Sequence, residues 1–221
     1  MISEWFEKIS GLVNHKAGLK IRQWQDQGPI TNPNGAIWFF GCSHVFGTGL
    51  EHYETAPYQL GRLLGERVIN YGRPGIGPLT VKSHIESLLK RHTPKAIVVA
   101  WPGFDRWQSG SILWIPNCLT DTKMHSDNFG CKSLWPDKWE QYKQLVMSGE
   151  IRNLNLEAVR AVRGVVSKIP YVEFSYTQND YGLITPVFPF KDLARDNVHP
   201  GVNTQHEIAQ WVKNEIRLLL Q

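Results

Sequence analysis

The five-residue run Ala36–Phe40, AIWFF, limits what this chain can fold into more than any other stretch. It is apolar throughout, without the every-second-residue alternation of a strand that keeps one face wet, so both of its faces must be covered. A strand of that kind sits inside a parallel sheet with helices on either side. The run stops at Gly41, and a glycine-rich turn, GCSHVFGTG, carries the chain on to Gly49. That turn falls at the carboxyl end of a central strand, where open α/β sheets bind their ligands. Ser43 is the side chain presented there.

The segments that follow keep one rhythm. In APYQLGRLLGE, Pro57 suits a first helical turn and Leu60, Leu63 and Leu64 form a stripe. Arg67–Tyr71 reads as a second strand and runs into a second glycine-rich turn, GRPGIGP. Thr80–Arg91 reads as a helix with Val81, Ile85, Leu88 and Leu89 on one face, and Ala96–Trp101 as a third, fully buried strand. Such alternation implies right-handed crossovers and a mostly parallel, doubly wound sheet.

Residues 102–150 break the pattern, carrying Trp107, Trp114, Trp135, Trp139 and Tyr142 with no clear period. An insertion over the active edge is expected. It serves either as a lid or platform on which sugar rings stack, or as a segment packed on its own aromatic cluster. The rhythm resumes with a helix over Asn153–Lys168, a fourth strand over Tyr171–Tyr176 and a short fifth near Leu183–Phe188. A last helix is expected over Gln205–Leu220, its start marked by the capping-box spacing of Thr204 and Glu207. Residues 1–35 read as an amphipathic helix, with Ile2, Trp5, Phe6, Ile9 and Val13 on one face, followed by a polar arm; residues 36–221 form one domain.

Composition narrows the function classes. A net charge of +4 over 221 residues, scattered rather than striped, gives no footprint for nucleic acid. The three cysteines, Cys42, Cys118 and Cys131, form neither a CxxC pair nor a Cys/His cluster, which fits a reducing compartment; whether Cys118 and Cys131 pair stays open. No apolar run reaches the roughly 18 residues of a membrane span. The N-terminus lacks the charged n-region of a signal peptide, so a cytoplasmic protein is expected. A phosphate loop would need a Lys after its second glycine, but Thr48 follows Gly47; a dinucleotide fingerprint would need a small residue where His52 stands. The eight histidines include no HxH or HExxH, so no metal and no cofactor are expected.

Acyl-transfer chemistry fits better. A serine hydroxyl becomes a nucleophile when a base accepts its proton, and the base needs a carboxylate to hold its ring. The chain supplies Asp196-Asn197-Val198-His199 just before the last helix. Cys42 is the weaker nucleophile candidate, because neighbours in an extended segment face opposite ways.

Four blocks in order, FFGCSHVFGTG, VINYGRPGIG, VVAWPGFDR and DNVHPG, resemble those of the SGNH (GDSL-type) hydrolases. The GCSHVFGTG form and the Trp-rich chain particularly resemble SGNH-like proteins encoded by tailed bacteriophages, for which synthesis in a host cytoplasm follows. The resemblance implies a three-layer α/β/α, flavodoxin-like fold with about five strands and a serine esterase acting through an acyl-enzyme. It makes Ser43 the nucleophile, His199 the general base and Asp196 the group that orients it. The oxyanion hole would use the backbone amides of Ser43 and Gly75. The third block has Trp101-Pro102-Gly103-Phe104-Asp105-Arg106 where the family has an Asn. Arg106, or an amide near Gly103, is the candidate substitute; Arg106 in a surface ion pair is the alternative. His44, Trp101 and Trp107 are candidate contacts for a small-molecule or carbohydrate ester, with an exposed turn position as the other reading of His44. The other class of function is a binding or structural protein that keeps the fold without catalysis.

Overall fold

The computed structural model describes residues 32–109, 112–114, 136–176 and 186–221. Four parallel strands form its centre: β1 (Ile37–Gly41), β2 (Val68–Gly72), β3 (Ala96–Trp101) and β6 (Tyr171–Ser175), in the order β2-β1-β3-β6. A separate antiparallel pair joins β4 (Trp107–Ser109) to β5 (Ile112–Trp114). The helices are α1 (Ser43–Phe46), α2 (Ala56–Leu64), α3 (Pro78–Leu89), α4 (Pro136–Met147), α5 (Glu150–Val165) and α6 (Val202–Leu219).

The unalternating apolar run sits where its composition requires. β1 pairs with β2 on one edge and β3 on the other, and all five of its residues are buried. Its side chains divide by the period of two. Trp38 and Phe40 join Ile97, Val99 and the inner faces of α3 and α5, among them Val81, Ile85, Val159 and Val162. Ile37 and Phe39 join Val98, Phe174 and the inner faces of α2 and α6, among them Leu60, Ile208, Val212 and Ile216. The result is the three-layer α/β/α arrangement expected. The buried Trp38 indole donates to the Pro33 carbonyl at 2.9 Å, which satisfies its one polar atom.

Several boundaries move. The last helix starts at Val202, three residues before the expected Gln205, and Thr204 does not act as its own cap. Asp192 does that work from the preceding loop: its carboxylate accepts from the amides of Asn203 and Thr204, both at 2.9 Å, and from the Thr204 hydroxyl at 2.8 Å. Four strands stand in the main sheet among the described residues rather than about five. Residues 177–185 lie outside the description, and Val187, within the expected fifth strand, makes one isolated parallel bridge to Ser175. The N-terminal helix, Trp135, and Cys118 with Cys131 also fall outside the described residues. Among the helices described, none is long and apolar enough to cross a membrane.

The turns after β1 and β2 are locked together. A Cβ at Gly72 would lie 2.3 Å from the Phe46 nitrogen, so only glycine lets the end of β2 lie against α1. Asn70, buried on β2, donates to the Val45 carbonyl at 2.9 Å and accepts from the Gly72 amide at 2.8 Å. Asn70→Ala leaves both backbone groups unpaired, and it is expected to lower the free energy of unfolding by about 2–4 kcal/mol. Urea denaturation measures this; a loss under about 0.5 kcal/mol, the range of ordinary surface changes, would mean that the two turns do not depend on the side chain.

Candidate active site

Ser43 opens α1, a single helical turn that starts directly after Cys42 and ends at Gly47, whose amide returns to the Ser43 carbonyl at 3.0 Å. As the first helical residue, Ser43 has no carbonyl within the helix for its own N–H to meet. Cys42 turns into the core beside Phe40 and Trp101, as the alternation along β1 predicts, and is a free, buried thiol.

Asp196 and His199 arrive on the loop before α6. His199 Nδ1 donates to Asp196 Oδ2 at 2.5 Å, while Asp196 Oδ1 accepts the amides of Val198 and His199, both at 3.0 Å. Asn197 takes a left-handed φ of 57°, a conformation that Asn tolerates better than most residues, and this bends Asp196 back under His199. The loop closes on itself through Ala194 N–H to His199 O at 2.8 Å and Asn197 N–H to Ala194 O at 2.9 Å. Burial pushes the Asp196 carboxyl up, but the two amides and the His199 ring outweigh it and hold the group below its ordinary range. With the Nδ1 proton committed to Asp196, Nε2 is left as a proton acceptor.

This loop docks on the serine turn. A Cβ at Gly49 would stand 3.0 Å from Asp196 Cγ, and Gly49 itself has φ +80°, so only glycine lets the carboxylate lie against the turn. The His199 ring centroid is 5.5 Å from that of His44, the residue after Ser43. Edge-on contacts from Tyr176 at 4.7 Å and Phe190 at 5.3 Å complete the surroundings of His44. Burial first, then the charges of His199 and Arg106, lower the His44 pKa to about 3 against an opposing pull from Asp196. His44 is therefore a neutral ring packed among aromatics beside the site, not an exposed turn residue.

Buried Gln205, at the start of α6, ties the same region down by donating to the His44 carbonyl at 2.9 Å and accepting from the Ala56 amide at 2.8 Å. Nothing in the sequence around Gln205 marks it, because its partners lie about 150 residues away.

In the third block, Arg106 donates from Nη1 to the Ile76 carbonyl at 3.1 Å, which places it over the loop after β2, next to Gly77. Its Nε stands 3.7 Å from where a Gly103 Cβ would be. Gly75 lies in the same loop after β2, with φ +82°. The family's Asn is missing from the block, yet an Asn from α5 reaches it: buried Asn155 donates to the carbonyls of Phe104 at 2.5 Å and Arg106 at 3.0 Å. Asn155 thus pins the loop from outside.

Trp101 corrects an expectation. As the last residue of β3 it shares the inward face with Ile97 and Val99, only 2% of it is exposed, and its indole donates to Glu173 at 2.8 Å. It is a core side chain with no face for a substrate. Trp107 stacks parallel to Tyr142 at 6.3 Å, in a small cluster with Trp139. Within the described residues, the aromatic insertion packs on itself. Among those residues no group of His, Cys, Asp or Glu could hold a metal ion.

No family model matches the chain, and no curated protein does. Solved structures do. A member of the lipolytic protein G-D-S-L family from Veillonella parvula DSM 2008 is 14% identical, with 79% of this chain and 94% of that one covered at a TM-score of 0.37. A carbohydrate esterase family 2 enzyme from Corynascus thermopiles is 13% identical, with 87% and 68% covered at 0.41. TesA is 16% identical, with 83% and 99% covered at 0.43. With identities and scores this low, the functional reading rests on the side chains of this chain.

His44 and, on α3, His84 are both held neutral down to about 3, burial being the first cause for each. In the unfolded chain they would titrate near 6.5. Between those values the unfolded state binds more protons, so stability falls as pH is lowered through the window. His84→Phe, which keeps a ring against Phe40 and Tyr71, should flatten the dependence near pH 5 by about 1.4 kcal/mol per pH unit. Denaturant unfolding across a pH series measures it; an unchanged slope would mean that His84 protonates freely in the fold.

Proposed function

We propose that the chain is a serine acylhydrolase of SGNH type, acting on esters through Ser43, His199 and Asp196. The observation that carries the proposal is the His199–Asp196 hydrogen bond at 2.5 Å, on a loop docked against the turn that bears Ser43. In this reading Ser43 Oγ attacks the ester carbonyl while His199 Nε2 takes its proton. Asp196 keeps the proton on Nδ1 and balances the charge of the imidazolium. The tetrahedral oxyanion is met by the amides of Ser43 and Gly75, with Arg106 or the Gly103 amide as the third donor. Collapse of the intermediate returns the proton from His199 to the departing alcohol and leaves an acyl-Ser43 ester. Water, deprotonated by His199, then releases the acid and restores the serine.

The proposal stops at ester substrates. A carbohydrate alcohol was suggested by the aromatic insertion, and that support is weakened by the burial of Trp101 and the stacking of Trp107 on Tyr142. His44, neutral and beside His199, is the better-placed candidate for substrate contact.

A second reading, a binding protein that keeps the fold, draws on the one observation that the third block lacks its Asn. A fluorophosphonate probe separates the two. Wild-type protein should be labelled, and Ser43→Ala should not. Arg106→Ala should lower kcat by about 10²–10³-fold with little change in KM, the usual loss for one oxyanion donor. Folded wild-type protein that resists labelling would reject the hydrolase in favour of the binding protein.

A further inference from the structure

The proposed acid and base sit on a loop whose internal hydrogen bonds make it stiff but do not say where it stands relative to Ser43. That placement comes from its neighbour. Arg195, one residue before Asp196, donates from Nη1 to Glu54 Oε2 at 2.6 Å and from Nη2 to Glu54 Oε1 at 2.7 Å, a two-pronged pair across 141 positions of sequence. Its backbone amide also donates to the Gly49 carbonyl at 3.3 Å, and Nη1 approaches the same carbonyl at 3.4 Å.

Glu54 is itself held. It ends the short 3-10 turn His52–Glu54, and its Oε2 accepts from the Glu51 amide at 2.8 Å. Its side chain is only 12% exposed, whereas that of Arg195 is 45% exposed. The Arg195 fork is the first cause that lowers the Glu54 pKa, so the pair stays charged at neutral pH.

We propose that Arg195 and Glu54 are positioning residues, a clamp that sets Asp196 and His199 in register with Ser43. The proposal rests on the reading of Ser43 and His199 as nucleophile and base, and it adds residues that touch neither substrate nor reacting atoms. A half-exposed ion pair normally contributes little to overall stability. A fork on a fixed carboxylate, however, defines an angle as well as a distance. A displacement of about 1 Å at a catalytic group can cost on the order of 100-fold in rate. The clamp should therefore matter to turnover far more than to folding, and that asymmetry is the signature that separates positioning from a purely structural contact.

The test uses the full chain and p-nitrophenyl acetate. Glu54→Gln and Arg195→Gln should each lower kcat by about 10–100-fold with KM nearly unchanged, in the range that misplacement of a catalytic group produces. The thermal midpoint should stay close to that of wild type. Arg195→Lys keeps the charge but not the fork, and it should recover only part of the loss. Glu86→Gln, which breaks the surface pair with Lys82, is the control and should change nothing. A second readout does not need turnover: the low-field NMR signal of the proton between His199 Nδ1 and Asp196, identified by its absence in His199→Gln. It should shift or broaden in Glu54→Gln. If wild type neither turns over the ester nor is labelled at Ser43, the hydrolase reading fails, and this proton still decides whether the clamp orients the loop. Wild-type kcat and an unmoved proton signal in Glu54→Gln would overturn the clamp and leave the hydrolase reading intact. A kcat loss matched by a fall in thermal midpoint would overturn it as well, by reducing the pair to a structural tie.

Discussion

A single strand with no free edge and no free face organises this protein. β1 is hydrogen-bonded to β2 on one side and β3 on the other, and helices cover it above and below. Because all three strands run parallel, their carboxyl ends meet at one rim, and the three loops that leave them are forced into contact. Gly72 lies against α1, Arg106 against Gly77, and Asn70 bridges the first two turns. The rim is thus assembled from backbone approach as much as from side chains.

What arrives at the rim from the far end of the chain is electrostatically selective. Two histidines stand with centroids 5.5 Å apart, and the surroundings treat them differently. His44 is packed among Tyr176 and Phe190, and burial keeps it uncharged. His199 has a carboxylate at hydrogen-bond distance that accepts from its Nδ1–H. Two adjacent imidazoles that both gained charge would repel each other at short range, and burial of His44 avoids that repulsion.

The sequence made the central layer legible for a plain reason: buried parallel strands are apolar without alternation, and that pattern survives in any tertiary context. Ala96–Trp101 is found at its expected bounds, and the first, second and fourth expected strands within about a residue or two, the usual fuzziness of element ends. The same pattern misled at Trp101, where a large aromatic at a strand end was read as a surface for substrate, although its place in the alternation puts it inside with Ile97 and Val99. Ser43, Asp196 and His199 could be singled out as a proposed site because acyl-transfer chemistry calls for those residue types in that order. Asn155, Arg195 and Gln205 could not. Each makes ordinary polar contacts whose partners become neighbours only after folding, and no local spacing marks a donor for an acceptor so far along the chain. The cap that Asp192 gives to α6 escaped for the same reason: Thr204 and Glu207 had the right spacing, but a better acceptor came from outside the helix.

The division of β1 into Trp38 and Phe40 on one side and Ile37 and Phe39 on the other has a further meaning. The sheet backbone separates two apolar compartments that meet only through its own rigidity. Volume lost beside Trp38 cannot be refilled by a side chain next to Phe39, so each compartment presents its own repacking problem, and changes in the two should combine additively rather than compensate. The chain can accumulate substitutions in one compartment without consulting the other. Only the rim, where both compartments end, has to answer to both.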